Sequence, residues 1–183
     1  IYNPTLNTWS ATGSMPQAKR QHRATLLNDG RVLVTGGFNT IHLNGAAIFD
    51  PAGGTWSSTA SMSDTKRFHS ATLLNDGRVL VAGGYNGSTL DDIEIFNPST
   101  GTWTAAGSLT TPRYYHSATL LNDGRILISG GVDVFPIANT EILTPFSTVG
   151  LDISLGTGPY TFVNTSGVEV SGDIYATVPD ALL

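Results

Sequence analysis

Cysteine is absent from the 183-residue chain, which removes disulfides, thiolate metal sites and cysteine nucleophiles from its chemistry. Charge is scarce: Asp, Glu, Lys and Arg together make up 13% of the residues, with a net charge of −5. No basic stripe is present, which speaks against binding to the phosphates of nucleic acid or to an anionic membrane surface. No apolar run approaches the ~20 residues that a bilayer-spanning helix needs. No 3.6-residue period is sustained anywhere, so helices are not expected. What remains is 40% hydrophobic residues, 21 glycines and a polarity carried by Ser, Thr and Asn. That balance fits a β-rich globular chain and not a disordered one. Low charge with abundant Thr, Ser, Asn and Gly points to an extracellular or cell-surface setting.

The main positive feature is repetition. Leu26-Leu27-Asn28-Asp29-Gly30-Arg31-Val32-Leu33-Val34-Thr35-Gly36-Gly37 returns from Leu73 and again from Leu120, each time 47 residues later without insertion or deletion. His22, His69 and His116 keep that spacing, as do Trp9, Trp56 and Trp103, and Pro4, Pro51, Pro98 and Pro145. Each copy reads as four short strands. In the first copy His22 to Asn28 leads into a tight Asn-Asp-Gly turn, where Asp and Gly tolerate left-handed backbone. Arg31 to Thr35 is a continuous Val/Leu run, as expected of a strand covered on both faces. A glycine pair ends it, a third strand covers about Ala46 to Phe49, and Thr55 to Ser58 is the fourth and outermost. Four strands at a period of this length mean a propeller blade.

The apolar strand ending in a glycine pair, Phe49-Asp50-Pro51 with Thr55-Trp56, and Phe96-Asn97-Pro98 with Thr102-Trp103 resemble the kelch repeat. With His69-Ser70-Ala71-Thr72-Leu73-Leu74 they are also similar to bacterial kelch and galactose-oxidase-like propellers. The resemblance implies an all-β fold: a kelch-type β-propeller portion of three four-stranded blades over residues 1–145, plus a short C-terminal β tail over 146–183. Ile1-Tyr2-Asn3-Pro4 aligns with the end of a third strand. The chain is therefore expected to open in mid-blade, each blade grouping a fourth strand with the next first, second and third, and upstream blades are expected to precede it. The tail loses the register. Val149, Leu151, Ile153 and Leu155 alternate as a strand would. It reads either as the start of an immunoglobulin-like module or as an extension that docks on another subunit.

Several residue sets are candidates for function. The three histidines suggest a metal, but each begins an inner strand and is better used in hydrogen-bonding a neighbouring blade; neither a metal nor any other cofactor is expected. Galactose-oxidase chemistry uses a tyrosine cross-linked to cysteine, which this chain cannot supply. No catalytic residue is expected, and the protein is read as a non-enzyme. Arg31, Arg78 and Arg125 are expected to pair with the turn aspartates Asp29, Asp76 and Asp123. Lys19-Arg20, Lys66-Arg67 and Arg113 precede the inner strands and are placed on loops at the channel mouth. The loops after the glycine pairs differ from copy to copy, and function in a repeat protein sits on such loops. Candidate binding residues are therefore Phe38, Asn39, His42, Tyr85, Asn86, Asp91, Asp133 and Phe135, with Arg20, Arg67 and Arg113. The expected partner is a protein or a glycan, or further subunits of an assembly. A portion of an oxidase-like or carbohydrate-active enzyme, with its site outside this chain, is the alternative.

Overall fold

The structure, a computed structural model, describes residues 1–145; the tail read from 146 onwards lies outside the described residues. The described residues are all β. The strands are β1 (Tyr2–Asn3), β2 (Thr8–Trp9), β3 (Arg23–Leu26), β4 (Val32–Thr35), β5 (Phe38–Asn39), β6 (Ile41–His42), β7 (Ala46–Asp50), β8 (Thr55–Thr59), β9 (Ser70–Leu73), β10 (Val79–Tyr85), β11 (Thr89–Asn97), β12 (Thr102–Ser108), β13 (Ser117–Leu120), β14 (Ile126–Ser129) and β15 (Thr140–Leu143). Every pairing between them is antiparallel.

The strands group in chain order. One blade runs β3-β4-β7-β8, the next β9-β10-β11-β12, and β13-β14-β15 form a three-stranded sheet, while β1 and β2 pair on their own. The grouping of a fourth strand with the following three is thus corrected. The reason is pairing: Phe49 and Asp50 face Trp56 and Thr55 across one short turn, so each outer strand belongs to the sheet it has just left. The inner strands β3, β9 and β13 are successive neighbours. The described blades do not close a ring.

Hydrophobic burial joins the blades face to face. Leu33 and Ile48 of the first blade pack with Met62, Val79, Val81 and Phe96. Leu80, Ala82, Ile93 and Ile95, on the alternate positions of the same strands, pack with Leu109, Ile126 and Ile128. β10 therefore has no polar face, which is why its sequence is a continuous apolar run rather than an alternating one. Trp56 and Trp103 tilt against Phe49 and Phe96, with ring centroids 5.0 Å apart in both cases. Their Nε1–H groups donate to the Gly13 and Ala60 carbonyls at 2.9 Å, tying each outer strand to the segment that enters its blade.

The hairpins close as the sequence suggests. Arg31, Arg78 and Arg125 each meet their turn aspartate at 2.7 Å. These pairs stand at solvent, where such contacts contribute at most ~1 kcal/mol. The glycine pairs serve a different purpose. Gly37 N–H donates to the Lys66 carbonyl at 2.8 Å and Gly84 N–H to the Arg113 carbonyl at 2.9 Å, so the next blade's entry segment lies directly on them. Gly83 has φ +57°, and a Cβ there would stand 2.5 Å from the Arg113 carbonyl oxygen.

Candidate functional site

Each blade is entered by an equivalent run: Lys19 to His22, Lys66 to His69 and Arg113 to His116. Its second residue pairs with the residue after the glycine pair, as Arg20 with Phe38, Arg67 with Tyr85 and Tyr114 with Val132. Its third residue, Gln21, Phe68 or Tyr115, has φ between 57° and 60°. Left-handed backbone is costly for a non-glycine residue. Here the blades lean on one another through it: Phe68 N–H reaches the Gln21 carbonyl at 3.4 Å and Tyr115 N–H the Phe68 carbonyl at 3.0 Å.

These runs carry an aromatic surface. Phe38, His42, Tyr85 and Tyr114 follow one another with ring centroids 5.2, 5.9 and 5.2 Å apart. Tyr114 continues to Phe68 at 6.2 Å and to Tyr115 at 5.3 Å, and Phe68 lies 4.0 Å from Tyr115. The Arg67 guanidinium sits among them, 4.7 Å from the Phe38 ring, 4.9 Å from Phe68 and 5.4 Å from Tyr85. Its Nη1 donates to Gln21 Oε1 at 3.0 Å. Arg20 covers Phe38 from another side at 5.3 Å. Such cation–π contacts contribute about 0.5–1 kcal/mol each when exposed and more when desolvated. Burial, with Arg67 close by, holds His42 below the ordinary imidazole range, so it is neutral at pH 7.

Of the residues singled out from sequence, Phe38, His42, Tyr85, Arg20 and Arg67 stand together on this face. Asn39 is exposed beside Phe38, and Asn86 uses its Oδ1 to take the Ser88 N–H in its turn. Asp91, Asp133 and Phe135 are exposed and make no ring contact with the cluster; Phe135 is 75% exposed. Val132, not Phe135, occupies the position equivalent to Phe38 and Tyr85. Phe68, Tyr114, Tyr115 and Gln21 share the entry run with Arg20, Arg67 and Arg113 but carry no charge and lie outside the unequal loops, so neither criterion singles them out. Their signal was an aromatic pair at 114–115 where the first copy reads Arg20-Gln21.

Arg113 requires correction. The repeat places it with Lys19 and Lys66, one residue before Arg20 and Arg67, and both Arg113 and Lys66 are 0% exposed. Lys66 Nζ pairs with Asp92 and, at 3.2 Å, with Glu94 Oε1. Arg113 Nη2 pairs with Glu141 Oε1 at 2.7 Å and donates to Asn139 Oδ1 at 2.9 Å, while Nη1 donates to the Gly130 carbonyl at 2.9 Å. The carboxylates are satisfied as well: Ser63 N–H donates to Glu94, and the Thr110 and Thr111 N–H groups donate to Glu141. Burial pushes the Glu141 carboxyl up, but those N–H groups and Arg113 outweigh it and hold it below the usual range. A buried cation is tolerated only with such partners; these two are internal fasteners and do not face a ligand.

The histidines join the blades. His69 Nε2 and Thr35 Oγ1 are 2.8 Å apart, and His116 Nε2 and Ser70 Oγ 2.9 Å. Arg23 Nε donates to the His69 carbonyl at 2.6 Å. Burial, reinforced by nearby cations, depresses both imidazoles, His116 to about 4 and His69 well below its ordinary value. Among the described residues, no group of three His, Asp or Glu is placed to hold a metal ion.

Residues 1–131 match the family described as the KLHDC2/KLHL20/DRC7 Kelch-repeats domain. The chain belongs to the kelch-repeat family. No curated protein matches it. Kelch repeats make a protein-interaction module, and the four-stranded sheets described above are its blades. In this kelch chain the repeated residues build the scaffold, while Arg20, Arg67 and the aromatic ladder are set on the face where the copies diverge. Among the described residues no helix is long and apolar enough to cross a membrane.

Proposed function

We propose that the face built on Arg67 binds an acidic segment of a partner protein that also carries an apolar or aromatic side chain. One observation carries this reading: the Arg67 guanidinium is held among three aromatic rings and braced by Gln21. A guanidinium fixed in this way loses little freedom on binding, and its planar donor fork matches a carboxylate. Arg20 adds a second positive group beside Phe38. Tyr115, 57% exposed, and Phe68 supply a shelf for an apolar anchor. Asn39, Asn86, Asp91, Asp133 and Phe135 are assigned to the rim, where polar contacts and excluded water support the centre. The function is non-enzymatic, and an extracellular or cell-surface setting belongs to the same reading, supported by the low charge content.

A glycan is the second reading, favoured by the exposed Tyr115 ring, since a flat aromatic face can stack on a sugar. Selection of displayed random peptides on the whole chain separates the two. Enriched peptides should combine Asp or Glu with an aromatic residue, and Arg67→Ala should weaken them about tenfold or more, as loss of a charge-assisted hydrogen bond does. Enrichment with no acidic bias, or equal binding by Arg67→Ala, would reject the acidic-segment reading. Binding to a glycan array that depends on Tyr115 would favour the second.

A further inference from the structure

The buried-cation device is complete in two blades and open in the first. Lys66 and Arg113 each meet a glutamate 28 residues further on, Glu94 and Glu141. The equivalent cation in the first blade is Lys19. The position equivalent to Glu94 is Ala47, as their pairings with Val34 and Val81 on the neighbouring strand show. The position equivalent to Asp92 is Gly45, where an added Cβ would meet nothing within 4 Å. Among the described residues Lys19 Nζ has only the Gly45 carbonyl, at 3.3 Å, and no carboxylate. Burial lowers its tendency to hold a proton. Beside it lies a cavity of about 90 Å³, whose walls include Met15, Gln17, Val34, Gly45, Ala47 and Ser58.

The three blades share one backbone course, so the missing glutamate leaves a space beside a half-buried ammonium that has no carboxylate partner among the described residues. In the other blades the carboxylate there also accepts N–H groups of the entry segment, from Ser63 or from Thr110 and Thr111. In the first blade the corresponding positions are Pro16, which has no N–H, and Gln17, which has one. One cation, one N–H, a wall that is mostly apolar with Gln17 and Ser58 as its polar members, and a small volume suit a carboxylate with a short alkyl stem. They do not suit a bulky or multiply charged anion.

We propose that the recess beside Lys19 is a receptor for a carboxylate group, which takes the place that Glu94 and Glu141 hold in the next two blades. The carboxylate comes either from a small free acid or from a Glu or Asp side chain of another protein. The site is separate from the Arg67 face and does not depend on what that face binds.

The chain has only two lysines, Lys19 and Lys66, so the 15Nζ signals of lysine-labelled protein report the site directly. Acetate is titrated against chloride at equal ionic strength. Acetate should shift the Lys19 signal in a saturable way and raise its titration midpoint, leave Lys66 unmoved, and raise the melting midpoint by a few degrees. Lys19→Met should abolish the acetate-specific stabilisation. Ala47→Glu, which supplies the glutamate from within, should raise the melting midpoint of the free protein and weaken acetate binding about tenfold or more; Ala47→Gln should do neither to that extent. A capped peptide with a single glutamate, tested in parallel, separates the sources: response to acetate alone supports a free acid, response to both supports a protein side chain. An equal response to acetate and chloride, or an Ala47→Glu protein that folds but binds acetate as before, overturns the proposal.

Discussion

A single imidazole illustrates how burial becomes a property of the whole protein. His116 is almost fully enclosed, its Nε2 engaged with Ser70, and its charged form is disfavoured first by burial and then by Arg113. An unfolded histidine titrates near 6.5, and the folded one at about 4. Between those values the unfolded chain binds the extra proton, so stability rises with pH there. Stability is full above the unfolded value, falls as the pH drops through the window and stops falling from this source below about 4. His69 is displaced in the same direction. Urea unfolding at steps from pH 7 to pH 4 should show a loss of about 1.4 kcal/mol per pH unit for each histidine inside its window. His116→Gln should have a shallower dependence than the parent protein.

Residue type alone was an incomplete guide to the site. Lys66 and Arg113 read as exposed charges on loops at the channel mouth because long cations are seldom fully buried. The glutamates that enclose them lie on a third strand, a relation that no local pattern exposes. A signal was nonetheless present, since Glu94 and Glu141 occupy one register and follow their cations at one spacing. Phe38 and Tyr85 were legible because they vary within a constant frame. Their meeting with Phe68, Tyr114 and Arg67 depends on how one blade leans against the next, which is a property of the assembled blades.

At the level of the element, the glycine pair is the junction that lets blades approach. Gly83 and Gly77 are both left-handed, at φ +57° and +85°. They differ in surroundings. A Cβ on Gly83 would stand 2.5 Å from the Arg113 carbonyl and 3.0 Å from the His116 ring, whereas one on Gly77 meets only the end of the Asn28 side chain at 3.1 Å. Gly83→Ala should therefore cost about 3 kcal/mol or more, combining backbone strain with overpacking, and Gly77→Ala about 1–2 kcal/mol. Thermal unfolding of the two variants side by side checks the order. The four main strands of the first blade were legible almost to the residue, because each is a β-branched or apolar run closed by a turn; the β5–β6 hairpin, and the run of β10 through its glycine pair to Tyr85 with β11 starting at Thr89, were read as loop. Which four belong to one sheet was not, because a period has no natural starting point.

Across the described residues the blades form a row in which each rests on its neighbours. β10 is covered on one side by Leu33 and Ile48 and on the other by Ile126 and Ile128. β1 and β2 pair only with one another, and Trp9 is 80% exposed. Opening should begin at exposed edges and reach the middle blade last. Amide hydrogen exchange should be slowest at Val79 to Ala82 and fastest along β1 and β2. Uniform protection across these strands would contradict that order.

The contacts from Gln21 to Phe68 and from Phe68 to Tyr115 are made by main-chain atoms, at 3.4 and 3.0 Å. The angular step from blade to blade on this side is therefore gauged by peptide groups, which every sequence possesses. Side chains reinforce the step without defining its main-chain contacts, as Arg67 does by donating to Gln21 Oε1 at 3.0 Å. Randomising positions 38, 42, 85 and 114 should alter what is recognised and keep the main-chain step, at the cost of the ring contacts His42–Tyr85 and Tyr85–Tyr114 that also cross between blades, so the chain offers a frame for a library of binders.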